Sequence, residues 1–248
     1  MPRTARKLSN SGYYHIVSRG IGKQILFEEE SDYLFFLGTL KKYKKEENFD
    51  IIAYCLMENH YHLLLKIDSD MDRIMKKIAT AYAFYFNTKY ERVGHLFQDR
   101  YKSIPVENDV YLLSVVRYIH NNPAKAGICP ADKYRWSSWR AYTGSSSLVN
   151  TDLVMGLTNG LNGFLAMSGQ EDEDGAVEHL EVTDSKRVAD SRAHRVIKDI
   201  LHLDSGTQIQ GLNREGRDLA LRKLKAEGLS VRQIERLTGI NRGVVLKA

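Results

Sequence analysis

The sequence predicts an α+β protein, in which a ferredoxin-like antiparallel sheet carries helices on one face and a small all-α segment follows. Runs rich in β-forming residues alternate with longer runs whose apolar residues recur at three- and four-residue spacing. Their order, strand–helix–strand–strand–helix–strand with one appended helix, is the ferredoxin-like order. Hydrophobic content of 43% and charged content of 27% are ordinary for a globular chain of 248 residues.

Four runs of β-forming residues predict the strands, which are residues 12–19, 50–57, 60–67 and 101–107. Gly20 and Gly22 end the first strand. Glu58 and Asn59 form a tight turn, so the second and third strands make a hairpin.

Three amphipathic runs predict the main helices. The first has Ser31 as its candidate N-cap and ends in the basic run 41–45, where cations suit the helix dipole. The second covers residues 71–90. The third covers residues 110–121, with Asp109 as its N-cap and Pro123 as its stop, and residues 130–168 predict peripheral turns and short helices.

Two histidines, His60 and His62, stand at the start of the third strand. Residues two apart in a strand point to one face, so both imidazoles project together and Tyr61 turns to the other side. Such a pair can share a divalent metal, although a half-buried strand with two polar residues on its wet face has the same pattern. A catalytic metal also needs a third protein ligand and an open position.

Tyr118 and Asn122 are candidates for the remaining chemistry, because residues four apart on a helix share one face. A tyrosine hydroxyl can attack phosphorus when a metal polarises the phosphate, and an amide oxygen can join the metal shell. The alternative for Tyr118 is a core aromatic. Tyr111, seven residues earlier, is a rival nucleophile, and His120 is an alternative ligand or proton shuttle.

Three blocks of the sequence resemble the REP-associated tyrosine transposases and their insertion-sequence relatives. His60-Tyr61-His62, within residues 57–65, is similar to the HUH motif of single-tyrosine transposases, in which a hydrophobic residue separates two histidines. Residues 94–103 and 118–127 resemble two further blocks of that family, in the same order. The resemblance implies the HUH nuclease fold over residues 1–145.

The resemblance also implies a reaction. His60, His62 and Asn122 would bind Mg²⁺ or Mn²⁺, and Tyr118 would be the nucleophile. The enzyme would cleave single-stranded, hairpin-forming DNA, leaving a 5′-phosphotyrosine bond and a free 3′-OH, and would rejoin the strand by the reverse reaction. No nucleotide cofactor is required, and the protein would act as a monomer or a homodimer.

Several side chains suit contacts with such a substrate. The basic residues that we expect to bind phosphates in this domain are Arg100, Lys102 and Arg117. The aromatic residues that suit stacking on unpaired bases, with burial as the alternative for each, are Tyr13, Tyr14, Phe97 and Tyr101.

Charge is unevenly distributed along the rest of the chain. Residues 146–185 predict a peripheral segment and, over 169–185, an acidic linker without lysine or arginine. Residues 186–248 hold 14 Lys and Arg against 7 Asp and Glu, a net charge of 14 − 7 = +7 compared with +5 for the whole chain.

The basic segment has the residue order of a helix-turn-helix. Ser230 is the predicted cap of one helix, Gly239 supplies the turn, and Asn241 caps a second helix. A plain helical hairpin is the alternative, but the positive charge favours DNA binding through Arg232 and Arg242.

The cysteine count, the lack of a long apolar run and the N-terminal residues indicate the cellular compartment. Only Cys55 and Cys129 are present, so no disulfide framework is expected, and no apolar run reaches the roughly 18 residues that span a bilayer. The basic N-terminus lacks the apolar core of a signal peptide. These features predict a cytoplasmic, nucleoid-associated protein without a membrane partner. The alternative function is a non-catalytic DNA- or RNA-binding regulator that retains the fold.

Overall fold

The computed structural model describes residues 7–144, 147–170, 197, 199–203 and 206–248. These residues belong to two compact units, which meet in the sequence between Glu181 and Val182. Residues 171–185, which carry nearly all of the predicted acidic linker, lie outside the described residues. No described helix is both long enough and apolar enough to span a bilayer.

The first unit is built on a four-stranded antiparallel sheet, which confirms the predicted α+β class. Its strands are β1 (Tyr13–Arg19), β2 (Asp50–Met57), β3 (His60–Lys66) and β4 (Lys102–Pro105). The strand order is β2-β3-β1-β4, so β1 and β3 are the two central strands. As predicted, a two-residue turn joins β2 to β3.

Helices cover both faces of this sheet, which corrects the expectation of helices on one face. The three long helices are α1 (Glu30–Glu47), α2 (Met71–Lys89) and α3 (Asp109–Lys125). Phe36 of α1 packs on Tyr61, with ring centroids 4.7 Å apart, and α2 packs on α1. α3 lies on the opposite face, against His62. Six consecutive residues of β3 are buried, which is the pattern of a strand covered on both sides.

Two helices begin or end differently from the prediction. α1 begins at Glu30, one residue before Ser31, the predicted N-cap, which is therefore already helical. α3 is capped by Asn108, whose side chain accepts a 2.8 Å hydrogen bond from a backbone N–H, and not by Asp109. α3 also continues past Pro123 to Lys125, because a proline near the end of a helix removes only its own N–H donor.

The segment after α3 closes the free edge of β2. It contains three short helices, as predicted, which are α4 (Trp139–Thr143), α5 (Asp152–Leu157) and α6 (Leu161–Ser168). Trp136 accepts a backbone hydrogen bond from Leu56, and Ser138 donates one to Tyr54, each 2.9 Å long. These bonds satisfy backbone groups that an edge strand would otherwise expose.

The second unit is helical. After a 3₁₀ turn at Gly206–Gly211 come α7 (Arg214–Ala226), α8 (Val231–Thr238) and α9 (Arg242–Lys247), which share a buried core of Leu221, Leu224, Ile234 and Val245. The predicted local signals are confirmed: Ser230 and Asn241 cap α8 and α9, and Gly239 has the left-handed φ of 69° that the turn requires.

Candidate active site

The two histidines of β3 point to one face of the sheet, as the strand period predicts. The ring centroids of His60 and His62 are 5.0 Å apart, and the two residues are 2% and 0% exposed. Tyr61 turns to the other face and packs against α1. The sheet thus holds the two imidazoles in a fixed relation beneath α3.

Nδ1 of each histidine lies within hydrogen-bond distance of a protein group. Nδ1 of His60 lies 2.7 Å from the amide oxygen of Asn59, which can only accept, so this nitrogen carries the proton. Nδ1 of His62 is 3.0 Å from Nε2 of His15. Nε2 of His62 is buried and has no hydrogen-bond partner among the described residues.

The electrostatic setting keeps His62 neutral. Burial lowers its pKa well below the usual value of a histidine, and the neighbouring His60 and His15 lower it further. A neutral imidazole with an unused ring nitrogen is the form that binds divalent metals. Nε2 of His62 therefore fits a metal site.

Tyr118 meets this pair from α3. Its ring centroid lies 5.6 Å from that of His62 and 6.0 Å from that of His15, in edge-on contacts. The residue is 3% exposed, and the Nζ of Lys125 lies 4.7 Å above its ring. Tyr111, the rival nucleophile, is half-buried, and its ring contacts neither histidine.

Asn122 lies one turn after Tyr118, where its amide nitrogen donates a 2.9 Å hydrogen bond to the Tyr118 carbonyl. Its amide oxygen remains as the atom that could bind a metal. Among the residues that the structure describes, no three His, Cys, Asp or Glu side chains are close enough to hold a metal. The third ligand therefore stays a prediction, for which Asn122 would supply an amide oxygen.

His120 lies in a different environment, away from the histidine pair. Its Nε2 is 2.7 Å from the hydroxyl of Ser138, and its ring is packed among Trp139, Tyr142 and Phe164. Burial lowers its pKa to about 3. His120 is thus a neutral core residue that joins α3 to the segment over β2. It does not lie beside His60 and His62, where it would have to be to share a metal with them.

The predicted phosphate contacts have different surroundings. Lys102 is exposed and pairs with Val17, which itself pairs with His62, so Lys102 shares the sheet face of the histidines. Arg100 is exposed in the loop before β4. Arg117 is buried and donates a 3.1 Å hydrogen bond to Gln170, so the structure does not bring it to the histidine pair.

Each of the four aromatic residues predicted to stack on bases is either buried or in contact with another side chain of the protein. Tyr14 is buried, and Phe97 packs edge-on against Tyr61, on the face away from the histidines. Tyr13 lies under the Lys66 ammonium, and the Tyr101 hydroxyl bonds to Asp72.

Two residues beside the histidine pair, His15 and Arg19, are not predicted from the sequence. In the β1–β3 register, Arg19 is directly opposite His60, and His15 lies on the same face two residues from the partner of His62. The alternation of β1 placed His15 and Arg19 on one face. Only the strand pairing, which the sequence does not give, shows that this is the face of the histidine pair.

The comparisons with known proteins bear on this geometry. Residues 9–122, which include both histidines, Tyr118 and Asn122, match the family described as "Transposase IS200 like". This part of the chain is therefore similar to the IS200-like transposases over 114 of its 248 residues. No curated protein matches the chain.

This chain is also similar in part to two solved structures. A REP-associated tyrosine transposase bound to a REP hairpin shares its fold, with a TM-score of 0.52 and 18% identity over 61% of this chain and 90% of the other. A putative transposase from Deinococcus radiodurans R1 matches with a TM-score of 0.34 and 19% identity, over 48% of this chain and 97% of the other.

Proposed function

We propose that this protein cleaves and rejoins hairpin-forming single-stranded DNA through a covalent bond to Tyr118. The observation that carries the proposal is the contact of the Tyr118 ring with His62, inside the part of the chain that is similar to the IS200-like transposases. The REP-associated relative is bound to a REP hairpin, which supports a hairpin as the substrate of this chain as well.

The proposed reaction exchanges one phosphodiester for another. The Tyr118 hydroxyl loses its proton and attacks phosphorus, the bond from phosphorus to the 3′-oxygen breaks, and that oxygen leaves as a free 3′-OH after taking up a proton. The 5′-phosphate remains joined to Tyr118. Attack of a 3′-OH on this bond reverses the step, so no nucleotide cofactor is consumed.

His60, His62 and the amide oxygen of Asn122 would hold a divalent metal, Mg²⁺ or Mn²⁺. When bound, the metal neutralises charge on the scissile phosphate. The unused Nε2 of His62 supports this site, because a buried ring nitrogen without a partner is unusual unless it binds a ligand. Arg19 and Lys102, on the same sheet face, suit contacts with the flanking phosphates.

The second unit would add a separate DNA contact. Its α8 and α9 are joined through Gly239 in the order of a helix-turn-helix. Arg242 begins α9 and is exposed, and Arg232 lies in the first turn of α8. We assign duplex DNA to this surface, through Arg232 and Arg242.

The proposal is tested with a labelled hairpin oligonucleotide, in the presence of Mn²⁺ and after EDTA. Wild-type protein should form a covalent protein–DNA adduct that EDTA prevents. Tyr118→Phe should abolish the adduct while DNA binding survives, and Tyr111→Phe, a matched change on the same helix, should not.

Two results would contradict the proposal. An undiminished adduct in Tyr118→Phe would remove Tyr118 from its role. Tight binding of hairpin DNA or RNA by the wild-type protein, without any adduct, would instead favour the non-catalytic regulator.

A further inference from the structure

A third histidine, His15, contacts the proposed metal ligands from the neighbouring strand. Its Nε2 lies 3.0 Å from Nδ1 of His62, and the two rings stack with centroids 5.2 Å apart and planes inclined by 16°. Both residues are fully buried. At a separation of 3.0 Å, the two ring nitrogens form a hydrogen bond between imidazoles.

The direction of this hydrogen bond decides which nitrogen His62 can offer to a metal. A neutral imidazole carries one N–H and one lone pair. If His15 donated, the proton of His62 would sit on Nε2, which is buried without a partner among the described residues. Hydrogen bonding alone does not decide between the two directions, because donation by His62 would place the His15 proton on Nδ1, which is buried in the same way. A metal on Nε2 of His62 decides the direction, because that nitrogen must then present its lone pair, so the proton sits on Nδ1 and His62 donates to His15.

We propose that His15 is a positioning residue, which accepts the Nδ1 proton of His62 and so fixes the tautomer and ring orientation in which Nε2 can bind a divalent metal. The inference deepens the proposed function and rests on its metal site. His15 is not itself a ligand in this arrangement, since the nitrogen that faces His62 is already bonded.

Each of the two proposed metal ligands then has its own hydrogen-bond acceptor at Nδ1. The Asn59 oxygen, in the turn before β3, accepts the Nδ1 proton of His60, at 2.7 Å. His15, on β1, does the same for His62. Partners of this kind fix the tautomer of metal-binding histidines, and their loss typically weakens metal affinity by about 10–100-fold.

His15 also contacts the proposed nucleophile. Its ring is edge-on to Tyr118, with centroids 6.0 Å apart, and Tyr118 is also edge-on to His62. The rings of His15, His62 and Tyr118 therefore contact one another pairwise. A change in the orientation of His15 would reach both the metal ligand and the residue that attacks phosphorus.

The first test measures Mn²⁺ binding to the full-length protein by calorimetry, without DNA. His15→Phe keeps a ring but cannot accept a hydrogen bond, so Mn²⁺ affinity should fall by roughly 10–100-fold. His15→Gln places an amide oxygen near Nδ1 of His62 and should restore much of that affinity. His120→Phe, which removes a buried histidine bonded to Ser138, should leave it unchanged.

The second test uses only the wild-type protein and so does not depend on the folding of a variant. Nuclear magnetic resonance of ¹⁵N-labelled histidine rings in the metal-free protein should place the His62 proton on Nδ1. A proton on Nε2, or Mn²⁺ binding by folded His15→Phe as tight as that of the wild type, would overturn the inference. A wild-type protein that binds Mn²⁺ but forms no DNA adduct would contradict the proposed cleavage and leave the role of His15 intact.

Discussion

At the scale of single residues, the site depends on which ring nitrogen each histidine keeps for a ligand. His60 and His62 both use Nδ1 within the protein, and Nε2 of His62 has no hydrogen-bond partner among the described residues. Their spacing on β3 was readable from the sequence, and so was the pairing of Tyr118 with Asn122 on one helix face. His15 and Arg19 were not, because their relation to the pair arises from strand register between residues about 45 apart.

Removal of a proposed metal ligand should lower metal affinity more than removal of a residue that only orients a ligand. His62→Ala should lower Mn²⁺ affinity by more than the roughly 100-fold upper limit for outer partners, with loss of adduct formation. His95→Ala, at an exposed histidine outside the site, is the matched control. Calorimetry and the adduct assay check both, and full adduct formation by His62→Ala would argue against a metal site there.

A second residue-scale feature concerns stability. Asp32 is fully buried between α1 and α2, and its carboxylate accepts hydrogen bonds from Lys89, Tyr85 and Tyr90 and from two backbone N–H groups. Burial raises the pKa of this carboxyl, but the hydrogen bonds from Lys89, Tyr90 and the backbone outweigh it, and the net pKa is lowered. The ionised group therefore stabilises the fold.

Asp32→Asn should lower the free energy of unfolding by roughly 3 kcal/mol at pH 7, because it leaves Lys89 beside an uncharged group. The lowered pKa means that wild-type Asp32 contributes fully above its unfolded value, near about 3.9, and loses that contribution as the pH falls through the folded value. The difference between the two proteins should therefore shrink in acid.

Urea unfolding followed by tryptophan fluorescence measures this difference, since both tryptophans, Trp136 and Trp139, lie in the first unit. Asp99→Asn, at an exposed carboxylate, is the control. A difference between wild type and Asp32→Asn that stayed constant from pH 7 to pH 3 would contradict the role given to the ionised carboxylate.

At the scale of elements, the strands and helices followed the periodicity of the sequence, while the helix ends did not. Asp109 and Asn108 are both good N-caps in isolation, and the choice between them depends on where the chain leaves β4. The sequence predicts that the helix stops at Pro123, yet the Asn122 carbonyl accepts a hydrogen bond from the Ala126 N–H, so the last turn forms around the proline. The coverage of both sheet faces was missed because a short apolar run does not show how many faces are buried.

The position of the α3 cap can be measured. Asn108→Ala removes the side chain that accepts from the Tyr111 N–H and should cost about 1 kcal/mol of stability. Asp109→Asn removes only a charge near the helix N-terminus and should cost about 0.3 kcal/mol. Urea unfolding of the two variants decides the matter, and a larger loss for Asp109→Asn would restore the cap that the sequence suggested.

At the scale of the whole molecule, the chain combines a sheet-containing unit, which is similar to the IS200-like transposases, with a second, helical unit. The sequence shows that positive charge is concentrated in residues 186–248. The N-caps of α8 and α9 are also those that the sequence predicts. What the second unit binds depends on the side chains on its surface. The sequence shows their charge and the order of the helices, but not which of them would contact a ligand. We therefore expect the two units to make separable contributions to DNA binding.

Arg232→Ala together with Arg242→Ala should weaken binding of duplex DNA and reduce its salt dependence by about two phosphate contacts, while adduct formation on a hairpin oligonucleotide is retained. Lys41→Ala with Lys45→Ala removes the same charge from the exposed end of α1 and should change neither. Fluorescence anisotropy over a salt series measures both variants. Unchanged duplex affinity in the arginine variant would exclude these residues from DNA binding.

Peptide mapping identifies the tyrosine that forms the bond to DNA, which we propose is Tyr118. Trypsin cleaves after Arg117 and Lys125 and releases residues 118–125, in which Tyr118 is the only tyrosine, while Tyr111 falls in the peptide 103–117. After reaction with a hairpin oligonucleotide and nuclease digestion, mass spectrometry should find a nucleotide on peptide 118–125. A nucleotide on peptide 103–117, with peptide 118–125 unmodified, would contradict the account.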